Sequence, residues 1–196
     1  MSMNKKELPG FEEVAFLFRG KTKPSTELGI RRCKQNELEL ILDLQQLVYD
    51  RIPDKNTFVL NTRDELLESL IHDVCIGVFH HGKLVAFTLM VANRLSQRNL
   101  ACKLGLDERI CRSSVTYDTT FVASEYTGYG LQRFLSNLRD RYAIGLGATE
   151  AYATVSPDNP ASLRNILSGG FQIIDERKMY GSYNRYILKK SFIRAE

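Results

Sequence analysis

Residues 113–142 read SSVTYDTTFVASEYTGYGLQRFLSNLRDRY. The first eleven are rich in β-branched and aromatic residues, which suit a pleated, buried strand. Glu125 to Gly130 then carries turn chemistry with two glycines. Leu131, Phe134, Leu135, Leu138 and Tyr142 follow at i, i+3, i+4, i+7 and i+11, the spacing of an amphipathic helix that stops at Gly145–Gly147. The unit is therefore strand, glycine turn, helix.

Such a unit is a ready anion site. The first backbone N–H groups of a helix have no intrahelical partner, and the macrodipole adds positive potential at that end. Gly128 and Gly130 let another molecule approach the backbone closely. Three turns of this kind are distinguishable. The dinucleotide fingerprint GxGxxG fails because Arg133 stands at its third glycine, and the nucleotide P-loop fails because GK[ST] is missing. A phosphopantetheine-type turn remains.

Upstream, a strand over Leu28–Cys33 leads to Asn36, which can cap a helix with Glu39 in a capping box. Leu38, Ile41, Leu42, Gln45, Val48 and Tyr49 keep helical spacing as far as Pro53. Thr62 and Glu65 repeat the capping pattern before a second helix, about 63–73. CIGVF, the turn HHGK and LVAFTLMVA read as a hairpin of buried strands. Leu95–Ser113 has no clear period and reads as an irregular helix or a flap. Downstream come a strand at Glu150–Ser156, a helix capped by Asn159 with Pro160 first and Gly169-Gly170 closing it, and strands at Gln172–Tyr180 and Tyr183–Lys189. The order β-α-α-β-β-β-α-β-α-β-β predicts an α/β fold with a mixed sheet and helices on both faces. Residues 1–27 read as an extension holding a short apolar piece, Val14–Phe18, and residues 28–196 as one domain.

Composition narrows the function classes. The longest apolar stretch, Leu84–Ala92, is far below the roughly 20 residues of a spanning helix. MSMNKKELPG carries no secretion-signal pattern, so a cytoplasmic protein is expected. Cys33, Cys75, Cys102 and Cys111 lack CxxC or His-ligand spacing and read as free thiols, with no metal site. The charge of +4 gathers at Arg19–Lys34 and Arg177–Arg194, which is thin for a nucleic-acid stripe and suits a small anionic cofactor.

FVASEYTGYGLQ resembles the acyl-CoA loop of the GNAT superfamily of N-acetyltransferases, commonly V-x-P-x-Y-R-G-x-G-x-G/A. SPDNPASLRNILSGGF resembles that family's asparagine-led helix, with Asn159, Ser162, Gly170 and Phe171 at matching spacing. Three loop positions depart from the pattern: Thr127 for Arg or Gln, Ser124 for Pro, and Gln132 for the last Gly or Ala. Ile166 stands where many members carry the tyrosine that protonates the leaving thiolate.

The resemblance implies a mostly antiparallel, twisted sheet of about seven strands and direct transfer of an acetyl group from acetyl-CoA to a primary amine. It places the cofactor on Thr120, Phe121, Val122, Gly128, Tyr129, Gly130, Leu131, Gln132, Arg133, Asn159 and Ser162, with the Val122 N–H polarising the thioester carbonyl. Blander readings stand beside these: Asn159 as a helix cap, Ser162 as a first-turn residue, Val122 as core. An amine of pKa about 10.4 must lose a proton before attack. Asp118, four residues before Val122 and so on the same strand face, is the candidate base, its alternatives being to cap a turn, pair with an arginine or bind the acceptor; Glu125 is the second, with a solvated turn charge as its blander reading. Tyr117, Tyr129, Tyr152 and Tyr180 are possible proton donors, and Asp107 and Glu108 could line a cleft for a cationic acceptor. The acceptor, a small molecule or a peptide, is not legible, nor is the oligomeric state, for which a symmetric homodimer is the common form. A GNAT-like module that binds acyl-CoA without turnover is the alternative.

Overall fold

A computed structural model describes residues 8–20, 22–92 and 95–192. Residues 1–7 of the expected extension and Arg194 of the basic stretch lie outside the described residues. Eight strands form one sheet: β1 (Val14–Phe18), β2 (Thr26–Arg32), β3 (Val74–His80), β4 (Lys83–Val91), β5 (Ser114–Val122), β6 (Glu150–Val155), β7 (Gln172–Met179) and β8 (Tyr183–Ser191). Their spatial order is β1-β2-β3-β4-β5-β6-β8-β7. Every neighbouring pair is antiparallel except β5 with β6.

The strand beyond the expected seven is β1. Val14–Phe18 pairs with β2 from Val14↔Ile30 to Phe18↔Thr26. Its alternation sends Phe16 and Phe18 edge-on against Phe134, with ring centroids 5.4 and 5.0 Å apart. Five residues are too few to display a period convincingly, so the aromatic contact that anchors this strand was not legible.

Among the described residues six α-helices cover the two faces: α1 (Leu38–Asp50), α2 (Arg63–His72), α3 (Leu100–Lys103), α4 (Glu108–Ser113), α5 (Leu131–Gly145) and α6 (Pro160–Ser168). Leu131, Leu135, Leu138 and Tyr142 of α5 pack on one side with Ile30, Val85 and Val115. Ile41 and Leu44 of α1 and Leu66 and Leu70 of α2 pack on the other with Phe87 and Phe121. Central strands β3 and β4 are buried along almost their whole length, which explains their unbroken apolar runs. They are joined by His81-Gly82, both at positive φ (48° and 78°), the two-residue turn whose twist matches a hairpin.

The entry to α1 differs from expectation. Asn36 with Glu39 does not cap the helix; the chain enters through a 3-10 turn at Gln35–Glu37. The Glu37 carboxylate accepts the Lys34 N–H at 2.7 Å and both terminal nitrogens of Arg31 at 2.8 and 2.5 Å. Arg31 holds the Glu37 carboxyl below its ordinary pKa. A bidentate arginine from a neighbouring strand thus selects Glu37, leaving Glu39 to pair with Arg63 on the surface. At α2 the expected box forms: Thr62 Oγ1 accepts the Glu65 N–H at 3.2 Å and Glu65 accepts the Thr62 N–H at 2.7 Å.

Leu95–Ser113, without a clear period in sequence, contains α3 and α4, capped by Asn99 and Asp107. The four cysteines are free. Among the described residues no helix is long and apolar enough to cross a membrane. Thr62→Ala should lower unfolding stability by about 1 kcal/mol, the usual worth of an N-cap, read as a fall in urea midpoint without a change in slope.

Candidate active site

The two parallel strands part company. β5 and β6 pair only from Ser114↔Glu150 to Tyr117↔Ala153. Beyond that, β5 stays with β4 as far as Ala86↔Val122, while β6 stays with β8 as far as Val155↔Tyr186. A wedge opens between them, bordered by an unpaired strand edge.

The Ala123 N–H donates to Val85 at 2.9 Å, which sets the phase of the ladder. Phe121 therefore exchanges bonds with Phe87, and the main-chain groups of Thr120 and Val122 face away from β4, into the wedge. Phe121 also borders the cleft, with its ring stacked on Phe87 in the core and its backbone facing β4.

A bulge lies next to this edge. Leu89 pairs with Thr119 and Met90 with Tyr117, so Asp118 is the extra residue. The bulge interrupts the alternation that was expected to set Asp118 and Val122 on one face. Val122 packs with the cluster under α5. Asp118 instead turns towards the loop before α2, accepting Asn61 Nδ2 at 2.9 Å and facing Arg98 at 3.1 Å. The carboxylate is paired with an arginine, one of the alternatives its sequence left open. Arg98 also donates to the Glu65 carbonyl at 2.8 Å and to Ser69 Oγ. Asn61 is held through its main chain by Gln45 of α1 at 3.0 Å in both directions, and its side-chain oxygen is buried with no partner among the described residues.

The glycine turn follows the far end of β5. Gly128 and Gly130 sit at φ 88° and 76°, and a β-carbon at either would meet nothing within 4 Å. Glycine is required there by backbone conformation, and the space over it is free. The Phe134 N–H donates to the Gly130 carbonyl at 3.0 Å, so the N–H groups of Leu131, Gln132 and Arg133 have no intrahelical partner. No acidic side chain occupies this first turn. Leu131 is core apart from its N–H, whereas Gln132 and Arg133 are exposed. The turn is fastened from outside: Tyr126 meets His80 Nδ1 at 2.7 Å, and Tyr129 donates to the Pro24 carbonyl at 3.0 Å. Glu125 is exposed against Arg51 at 3.4 Å and is not part of the cleft wall.

A cleft of about 340 Å³ lies along the wedge. Its walls bring together Thr120, Val122, Gln132, Asn159 and Ser162 with Asn61, Arg98, Asp118, Tyr180 and Arg185. Asn159 caps α6, accepting the Ser162 N–H at 3.0 Å, so its structural role is real and its wall position additional. The Thr120 hydroxyl meets that of Thr88 at 2.6 Å. A smaller extension of about 100 Å³ runs between α5 and α6 past Ser136, Arg139, Asn165 and Ile166. Gln132 and Asn165 are hydrogen-bonded across it.

Among the tyrosines, Tyr180 lines the cleft at a positive φ of 52°, bonded to Thr154 at 3.2 Å, and burial pushes its phenol pKa up. Tyr117 and Tyr152 are pushed up by burial too, and donate to Asp140 at 2.6 Å and Glu150 at 2.7 Å. Arg185, 3% exposed, donates to the carbonyls of Asn184 and Asn56 at 2.8 and 2.7 Å. Asn61, Arg98, Arg139 and Arg185 were not expected here. Asp107 and Glu108 lie outside the cleft wall, at the cap and first turn of α4.

No family model and no curated protein matches the sequence. Solved structures do match the fold. A GNAT-family acetyltransferase from Streptococcus pneumoniae superposes with TM-score 0.63 at 18% identity, over 85% of this chain and 99% of that one. The ribosomal-protein-S18-alanine N-acetyltransferase from Escherichia coli gives 0.63 at 15%, over 86% and 96%. The PaiA N-acetyltransferase from Thermoplasma acidophilum, solved with coenzyme A, gives 0.60 at 14%, over 85% and 100%. The chain has the fold of the GNAT acetyltransferases.

Gly130→Ala should cost about 1–2 kcal/mol of stability through its left-handed backbone rather than through a clash, measurable by thermal and urea unfolding.

Proposed function

We propose that this chain is an acetyl-CoA-dependent N-acetyltransferase that passes an acetyl group directly to a primary amine. The observation that carries the reading is the continuity of the wedge between β5 and β6 with the uncapped start of α5. An elongated molecule with an anionic end and an amide-bearing arm fits that shape. The N–H groups of Leu131, Gln132 and Arg133 would hold the pyrophosphate over Gly128 and Gly130. The open edge at Thr120 and Val122 would bond the arm, and the Val122 N–H would polarise an acyl carbonyl. When bound, acetyl-CoA supplies the activated acyl group as a thioester.

The acceptor end is built for an amine. Asp118 keeps lone pairs beyond those used by Asn61 and Arg98. Asp118 then receives the proton that a primary amine must lose before attack. Peptide and small-molecule amines both fit this chemistry.

Calorimetric titration of acetyl-CoA should give saturable binding, weakened at least tenfold in folded Gly130→Ala. Asp118→Asn should keep that binding yet lower amine-dependent thiol release 10²- to 10⁴-fold, the usual worth of a general base. No binding at millimolar acetyl-CoA would overturn the proposal, and binding without thiol release across an amine panel would leave a non-catalytic acyl-CoA module.

A further inference from the structure

Helix α5 carries one residue that the cleft as described does not use. Arg139 lies on its apolar face, four residues after Leu135, and is 7% exposed. Its guanidinium stacks over the Tyr117 ring at 4.1 Å. Among the described residues none accepts a hydrogen bond from its buried Nε, and no carboxylate lies within ion-pairing distance. The nearby acids are already engaged. Asp140 accepts Tyr117 at 2.6 Å and Lys190 at 2.7 Å, and Asp118 takes Asn61 and Arg98. Burial pulls the guanidinium pKa down to about 10, so it stays charged at neutral pH.

A buried cation without an acceptor is costly, and an apolar side chain of similar volume would serve packing better. Its position supplies a reason. Arg139 lines the small cavity between α5 and α6 together with Thr120, Thr154, Ser162 and Ile166. It sits eight residues along α5 from Leu131, about 12 Å by helical rise, where the wedge closes beside Tyr117. An arm anchored at the start of α5 and lying in the wedge therefore ends near this guanidinium. Ile166, on the facing helix, offers no proton.

Building on the transferase reading, we propose that Arg139 is a catalytic residue that binds the sulfur of CoA as a thiolate. In the transfer, the amine nitrogen forms a bond to the acyl carbon and the carbon–sulfur bond breaks. Its electron pair stays on sulfur; one proton leaves the ammonium to Asp118 before attack and passes to water, the second leaves the nitrogen of the adduct by the same route, and Arg139 balances the new charge without giving up its own proton. The charged and titratable groups facing it are Tyr117 and Asp118 from β5, Asp140 from α5 and Lys190 from β8.

The test is the proton count on binding. CoA is titrated calorimetrically at pH 7.5 in two buffers of different ionisation enthalpy, with acetyl-CoA, which has no free thiol, as reference. A thiol of ordinary pKa, about 8.5, is roughly nine-tenths protonated at pH 7.5. The native chain should release close to one proton more with CoA than with acetyl-CoA. Arg139→Met should bind acetyl-CoA within about threefold of native, lose most of the extra proton, and turn over at least 10²-fold more slowly. Its melting temperature should hold or rise, because a purely structural arginine would lower it. Arg139→Lys, retaining charge, should recover part of the proton release. Equal proton release in native and Arg139→Met, or no extra proton with CoA in the native chain, overturns the proposal while acetyl-CoA binding stands. If the native chain binds neither CoA nor acetyl-CoA, the transferase reading itself fails and takes this one with it.

Discussion

The proposed function depends on where one set of hydrogen bonds stops. β5 and β6 are bonded from Ser114 to Tyr117 and then separate, because each is held on its outer side by an antiparallel partner, β4 and β8. An unpaired strand edge inside a protein is normally a defect that water or another strand must satisfy. Here the edge at Thr120 and Val122 is left available, and the start of α5, also with unpaired N–H groups, stands at its mouth. Two unsatisfied backbone surfaces meet in one cleft. The bulge at Asp118 adds a side chain at the point of divergence, aimed at Asn61 and Arg98.

The rest of the molecule keeps that opening in place. Phe87 and Phe121 stack in the core on one face at 5.2 Å, while Leu135 and Leu138 of α5 close the other. The N-terminal strand β1 braces α5 through Phe134, and the residues between β1 and β2 reach the glycine turn, with Lys23 donating to the Glu125 carbonyl at 2.7 Å. A site made of main-chain groups needs such bracing, since its precision is that of the elements that carry it.

Much of the scaffold was legible because it obeys local rules. The α5 stripe, the Thr62–Glu65 box, the hairpin turn and the two glycines before α5 announce themselves by period and turn chemistry. What stayed hidden was decided by partners far along the chain. Glu37 displaces Asn36 and Glu39 at the start of α1 only because Arg31 reaches it from β2. The bulge that redirects Asp118 is a relation between β4 and β5, invisible in either strand alone. Asn61 and Arg98 come from a loop and a stretch without period, so no pattern marked them. Arg139 did leave a sign, a charge in register with Leu135 and Tyr142 on an apolar stripe.

The most direct test of the site is a crystal structure of the chain with CoA bound. The pyrophosphate should lie on the N–H groups of Leu131, Gln132 and Arg133, with the pantetheine arm along the edge of β5 and the sulfur in the wedge near Tyr117. A CoA seated elsewhere, with water or protein atoms occupying that edge, would contradict the assignment of the wedge as the acyl-transfer site.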